Sequence, residues 1–169
     1  LADRDLSDQP IRVSWVGSGD FGRGMQLRAH RIRGLYPAII SDLNIERATQ
    51  TFLAAGRASE DIVVVNTVEQ ANEAVNQGKA VVTEDLSIAC QSCVDVVVEV
   101  TGLPETAARV AEMAIDYGKH IVMVTAEADC TVGTILRQRA DRAGVVYTIA
   151  DGDQPGNLAE FISWARTLG

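Results

Sequence analysis

Several residue types from which functional sites are built are scarce in this sequence. Its three cysteines, Cys90, Cys93 and Cys130, are an odd and sparse set, unlike the paired framework of a small secreted domain. Cys90 and Cys93 form a CxxC, but no second CxxC or CxxH completes four zinc ligands, and the only histidines are His30 and His120. No metal is therefore expected, and "CQSC" reads as a short turn leading into the apolar run "VDVVVEV". Positive charge is also in deficit, with 15 Lys and Arg against 23 Asp and Glu for a net charge of −8. Phosphate backbones are held by clustered cations, so nucleic acid is not an expected partner. No apolar run reaches the roughly 18 residues a membrane-spanning helix needs. The first ten residues, "LADRDLSDQP", are polar and acidic, unlike a signal peptide. The expectation is a cytoplasmic protein without membrane contact.

What is present points to one globular domain with a sizeable core: 169 residues, 47% hydrophobic. Short runs rich in Val and Ile recur at residues 11–16, 38–40, 80–82, 94–100, 120–124 and 144–150, and they read as strands buried on both faces. Helical patterns separate most of them, at 20–33, 45–56, 67–77, 104–117 and 131–143. Such alternation predicts an α/β domain, a doubly wound Rossmann fold with a mostly parallel sheet of about six strands. Residues 1–10 read as a flexible arm and 11–169 as the domain, with 57–93 holding a helix, a short strand and an irregular return. A start at Leu1 and a stop at Gly169, just after "NLAEFISWARTLG", suggest a piece of a longer chain.

The chemistry concentrates at "GSGDFG", Gly17 to Gly22, which matches GxGxxG directly after the first strand and at the opening of a helix. In that context Gly17 permits the tight turn, Gly19 lets backbone approach a pyrophosphate, and Gly22 lets the helix pack against the strand. Asp20 and Phe21 complete the turn, and the helix N-terminus offers free N–H groups to phosphates. An acid, Asp42, follows at the end of the second strand, 20 residues beyond Gly22. There it would accept hydrogen bonds from a ribose and repel a 2′-phosphate, which favours NAD, with NADP as the alternative. Asp42 could instead cap the following helix, a task Asn44 could also perform. Arg23, Arg28, Arg31 and Arg33 read as a solvated helix face and Trp15 as core.

Ligands of doubly wound sheets bind beyond the carboxyl ends of the strands. There, Thr101 and Gly102 would pass under the cofactor and Thr125 would lie near the nicotinamide ribose. Glu127, Asp129 and Asp153 are substrate-side candidates, although Asp129 could simply cap a helix beginning near Thr131. His120 starts a strand at its amino end and His30 sits within a helix, so neither serves as a general base. The chemistry would then be completed elsewhere. Two other classes of function remain in view: a stand-alone nucleotide-sensing module without catalysis, and a CxxC redox protein.

From Ile11 onward, and most specifically in "GSGDFG", "GKHIVMVTAEAD" and "DGDQPGNLAE", the sequence resembles the amino-terminal NAD(P)-binding domain of homoserine dehydrogenase-like oxidoreductases. Within them it is most similar to the 1-deoxy-D-xylulose 5-phosphate reductoisomerase-like (DRL), SAF-domain-containing branch. The resemblance implies hydride transfer between a nicotinamide cofactor and a small polar hydroxy or keto substrate, possibly phosphorylated. It also implies a further catalytic and dimerising domain in the full protein, hence a homo-oligomer, and an inactive fragment when this domain stands alone. Two positions depart from the pattern. Ala126 and Glu127 stand where homoserine dehydrogenases carry Asn-Lys, and "SDLN" replaces the basic pair that NADP-using members place after the second strand.

Overall fold

The computed structural model describes residues 3–4, 9–150 and 156–168. The elements run β1 (Ile11–Val16), α1 (Asp20–Ala29), β2 (Leu35–Ser41), α2 (Ile45–Ala54), a 3-10 turn (Ser59–Asp61), β3 (Ile62–Val64), α3 (Val68–Asn76) and β4 (Ala80–Thr83). They continue through α4 (Leu86–Gln91), β5 (Val96–Glu99), α5 (Pro104–Asp116), β6 (His120–Met123), α6 (Ala126–Ala143), β7 (Tyr147–Ile149) and α7 (Gly156–Leu168). The seven strands form one sheet in the order β3-β4-β2-β1-β5-β6-β7, with every neighbouring pair parallel. This is a Rossmann-like α/β fold.

The chain winds outward from β1 through β2 to the β3 edge, then crosses back to lay β5 on the other side of β1. The strand order therefore reverses at β1, and a crevice opens at the carboxyl ends of β1, β2 and β5. Parallel strands must be joined by crossovers, and the helices that supply them bury both sheet faces. Adjacent residues on β2 show the result: Ile39 packs into one core layer and Ile40 into the other, both with no exposed surface. One layer, with Val13, Trp15, Ile40, Phe52, Val82 and Val98, lies under α1 and α2. The other holds Ile39, Val81, Val97, Ile121 and Met123 under α3 to α6. Burying one such side chain contributes about 1.5–3 kcal/mol, so a strand of alternating Val and Ile is held from both sides.

Helix ends follow local chemistry. Asn44 caps α2 by accepting the Arg47 N–H at 2.9 Å, Thr67 and Asp85 cap α3 and α4, and Pro104 opens α5.

The sheet is doubly wound and parallel as expected, with seven strands; the one beyond the six read from the sequence, β3, is a three-residue edge strand, too short to show a period. Three expectations require correction. Helix α4 occupies the stretch expected to be irregular, and "CQSC" begins in its last turn rather than in a free turn. Helix α1 ends at Ala29, not residue 33. Helix α6 begins at Ala126 with Thr125 as its N-cap residue, so Asp129 lies inside the first turns and caps nothing. Asp153 and most of the 1–10 arm fall outside the described residues.

Candidate functional site

The glycine turn between β1 and α1 gives its three glycines three different surroundings. Gly17 has φ +104°, and a Cβ placed on it would lie 2.6 Å from the carbonyl oxygen of Val100. Only glycine fits such a left-handed residue pressed on backbone. A Cβ on Gly22 would meet Val100 Cγ1 at 3.0 Å and the Gly17 carbonyl oxygen at 3.2 Å, so this glycine lets α1 sit close to the end of β5. Gly19 is the opposite case: its φ is −66° and a Cβ would find nothing within 4 Å. It is the N-cap residue of α1 and has no side chain to cap it. The first-turn N–H groups of a helix lack intrahelical partners.

The turn is braced from beneath. Gln26, fully buried on α1, donates through Nε2 to the Gly17 carbonyl at 2.9 Å. The Ser18 hydroxyl donates to Gln26 Oε1 at 3.1 Å and lies 3.1 Å from the Thr51 hydroxyl. From the other side comes Asp42, whose Oδ2 accepts the Ser18 N–H at 2.6 Å while Oδ1 accepts the Asn44 N–H at 2.8 Å. Arg47 Nη2 bridges both carboxylate oxygens, at 2.7 and 2.9 Å. Of the two residues offered as the α2 cap, Asn44 performs that task and Asp42 is left for the turn.

These groups surround a cavity of about 440 Å³ lined by Gly17, Ser18, Gly19, Asp42, Leu43, Arg47, Glu84, Leu86, Thr101 and Leu103, among others. Gly17, Gly19, Asp42 and Thr101 of the expected binding residues thus meet in one hollow. Asp20 and Phe21 are exposed on the first turn of α1, and Gly22 packs behind the turn. Gly102 and Thr125 do not line the cavity.

The link between these last residues is Glu99, which sequence reasoning missed. Its carboxylate, fully buried at the end of β5, accepts the N–H and hydroxyl of Thr101, each at 2.7 Å, and the hydroxyl of Thr125 at 2.9 Å. It also accepts the Thr125 N–H at 3.2 Å, and the Thr125 oxygen accepts the Gly102 N–H at 3.0 Å. Glu99 therefore ties the β5–α5 turn to the β6–α6 turn, and the two threonine hydroxyls point inward to it. The signal was available as a single acid at the end of an unbroken apolar run, "VVVEV".

Glu127 is exposed in the first turn of α6. Asp129 instead accepts the Tyr147 hydroxyl at 2.7 Å, and its carboxylate fills the space over Gly133 where a Cβ would stand. Burial and then this carboxylate raise the Tyr147 pKa, so the phenol stays protonated. Neither histidine is at the cavity. His30 packs edge-on to Phe52, and burial followed by the Arg57 charge lowers its pKa to about 4; His120 Nδ1 accepts the Val146 N–H at 3.0 Å at the amino end of β6. The Cys90 thiol is buried, and burial pushes its pKa up to about 12, whereas Cys93 Sγ sits 3.5 Å from Arg12 Nη1. No group of three His, Cys, Asp or Glu among the described residues could hold a metal. A second hollow of about 770 Å³ lies at the amino ends of the strands, among Arg12, Tyr36, Cys93 and Asp95. That is the end of a doubly wound sheet away from its ligand crevice.

No family model matches the chain, and no curated protein does. Solved structures do. Myo-inositol dehydrogenase from Lactobacillus casei, in complex with NAD(H) and myo-inositol, superposes with a TM-score of 0.63 at 16% identity over 83% of this chain and 36% of its own. Biliverdin reductase from Synechocystis sp. PCC 6803, in complex with biliverdin and NADP+, gives 0.61 at 18% identity over 83% and 37%. A homoserine dehydrogenase from Thiobacillus denitrificans gives 0.60 at 21% identity over 83% and 29%. The chain thus spans about a third of the length of these neighbours. No helix among the described residues is long and apolar enough to cross a membrane. The likeness establishes a shared Rossmann-like α/β fold.

Proposed function

We propose that this chain is the dinucleotide-binding domain of an NAD(P)-dependent oxidoreductase that moves a hydride between the nicotinamide and a small polar hydroxy or keto substrate. The observation that carries the reading is the contrast among the glycines of the turn: a Cβ on Gly17 or Gly22 would run into Val100, whereas one on Gly19, in the hollow beside Asp42, would meet nothing within 4 Å. Structural glycines alone would leave no reason for that vacancy at a helix N-terminus.

The nicotinamide supplies the redox chemistry when bound. The chain's own residues bind and orient. The turn from Gly17 to Gly22 takes the pyrophosphate on backbone N–H groups, Asp42 takes the adenosine ribose, and Leu43, Leu86 and Leu103 offer apolar walls. Glu99 holds the backbone of Thr101 and Thr125, and the Thr125 hydroxyl oxygen holds that of Gly102, as a floor beneath the nicotinamide half. Glu127, Asp129 and Asp153 remain the substrate-side candidates, with Asp129 committed to Tyr147. A second domain, supplied by a longer cytoplasmic protein of the reductoisomerase-like branch, would bring the acid or base and the dimer contact. A second reading, a nucleotide-sensing module, draws support from the histidines, both of which lie away from the cavity.

Calorimetric titration with NAD⁺, NADH, NADP⁺ and NADPH tests the proposal. Binding of a dinucleotide, weakened by at least about tenfold in Asp42→Ala through loss of charge-assisted hydrogen bonds, is the expected result. Failure of all four to bind would remove the reading. Hydride transfer by a longer form of the protein, set against binding without turnover, separates the enzyme from the sensor.

A further inference from the structure

The following rests on the dinucleotide reading of the cavity and concerns what holds the glycine turn ready for a phosphate. Helix α1 buries a narrow stripe, Gly22, Gln26 and Ala29. Glycine and alanine suit close packing of a helix on its strand. A glutamine with no exposed surface is out of place there, because a buried amide costs free energy unless its hydrogen bonds are met. At Gln26 both ends of the amide are met, and both by the turn: Nε2 donates to the Gly17 carbonyl at 2.9 Å, and Oε1 accepts the Ser18 hydroxyl at 3.1 Å.

The bond to Gly17 falls on a peptide with unusual freedom. Gly17 has φ +104°, and a glycine lets the peptide that follows it rotate at little steric cost. The Gly17–Ser18 peptide is held at both ends, since Gln26 takes its carbonyl and Asp42 takes its N–H at 2.6 Å. That N–H is therefore committed, and the donors left for an anion are those of Gly19 and the first turn of α1. A peptide turned over would bring the Gly17 oxygen to the side of Asp42 and the cavity, against any phosphate.

We propose that Gln26 is a positioning residue for the pyrophosphate. It does not line the cavity; it acts by keeping the Gly17 carbonyl turned to α1, so that the N–H groups beyond Ser18 are aimed before a dinucleotide arrives. Donors ordered in advance cost less to bind than donors that must first be fixed. The Ser18 hydroxyl sets the amide's orientation, because an Oε1 that accepts from it leaves the NH₂ facing Gly17. The Thr51 hydroxyl lies 3.1 Å from that of Ser18 and 2.9 Å from the Arg47 carbonyl oxygen. One buried amide thereby joins the phosphate turn to α2, the helix that follows Asp42.

The test is calorimetric titration of the full chain, wild type and Gln26→Met, with NAD⁺ and NADP⁺, beside adenosine followed by ligand-observed NMR. Methionine keeps the length of the side chain and removes its donor and acceptor. Dinucleotide affinity should fall by about tenfold, the scale of one buried hydrogen bond left unmet, while adenosine, which carries no phosphate, should bind Gln26→Met as it binds wild type. If Gln26→Met does not fold, Gln26→Glu decides: it keeps the volume and the bond from Ser18 but sets an oxygen against the Gly17 carbonyl, and the same selective loss is expected. Unchanged dinucleotide affinity would overturn the role of Gln26 while leaving the dinucleotide reading intact. An equal loss for adenosine would overturn it too, since a general loosening of the fold weakens every ligand alike. A wild type that binds neither dinucleotide would overturn both.

Discussion

Alanine at Gly17 and alanine at Gly19 should separate a glycine that the fold needs from one that a ligand needs. At Gly17 the new methyl would lie 2.6 Å from the Val100 oxygen and 2.8 Å from its carbonyl carbon. Both are backbone atoms of a paired segment that cannot turn aside. Overpacking of this kind costs about 1–3 kcal/mol, and a side chain in left-handed backbone costs about 1–2 kcal/mol more. The sum of roughly 2–5 kcal/mol is a large share of the 5–15 kcal/mol that stabilises a domain. At about 2–4 °C per kcal/mol for a chain of this size, Tm should fall by roughly 4–20 °C. At Gly19 the methyl meets nothing within 4 Å and φ is −66°. Reduced freedom of the unfolded chain stabilises by about 0.4–1 kcal/mol, and alanine at an N-cap position costs a similar amount, so Tm should stay within about 4 °C. Dinucleotide affinity should nevertheless drop by about tenfold or more, about 1.4 kcal/mol, because the methyl occupies the space where phosphates would approach the helix N-terminus. Differential scanning calorimetry and isothermal titration on the two variants read both quantities. A Gly19→Ala protein that melts and binds like wild type would show that the open side of the turn is not the phosphate site.

Two further outcomes concern groups around the site and the core. Glu99→Gln places an amide NH₂ against the N–H and hydroxyl donors of Thr101 and Thr125; stability should fall by about 1–3 kcal/mol, the cost of leaving buried donors unmet, and an unchanged denaturation midpoint would contradict the tie between the two turns. His30, with its pKa lowered to about 4 from 6.5, is neutral in the fold, so the unfolded chain binds the extra proton below pH 6.5. Stability should therefore decline as pH falls from about 6.5 to 4, and the part due to this residue should be missing in His30→Leu; identical urea-denaturation profiles against pH for the two proteins would refute the assignment.

Much of the site's architecture was legible because it is local. The GxGxxG turn lies between one strand and the helix that follows, and Asp42 ends the next strand, so period and punctuation located both. Long runs such as "VDVVVEV" announced doubly buried strands. Three-residue β3 and six-residue α4 offered no period to read. The start of α6 was misplaced because Thr125, which caps it, carries no capping side-chain bond. What only the tertiary structure decided are the long-range pairings. Thr125 meets Glu99 across 26 residues and Asp42 meets Ser18 across 24, and Val100 closes over Gly17 and Gly22 while leaving Gly19 open. Sequence by itself determined an α/β domain with a glycine turn after its first strand and an acid after its second, since those features depend on neighbours along the chain. Which side of the turn is free, and that Asp42 is already matched by Arg47, depend on how the sheet brings distant strand ends together. No local pattern encodes those distances.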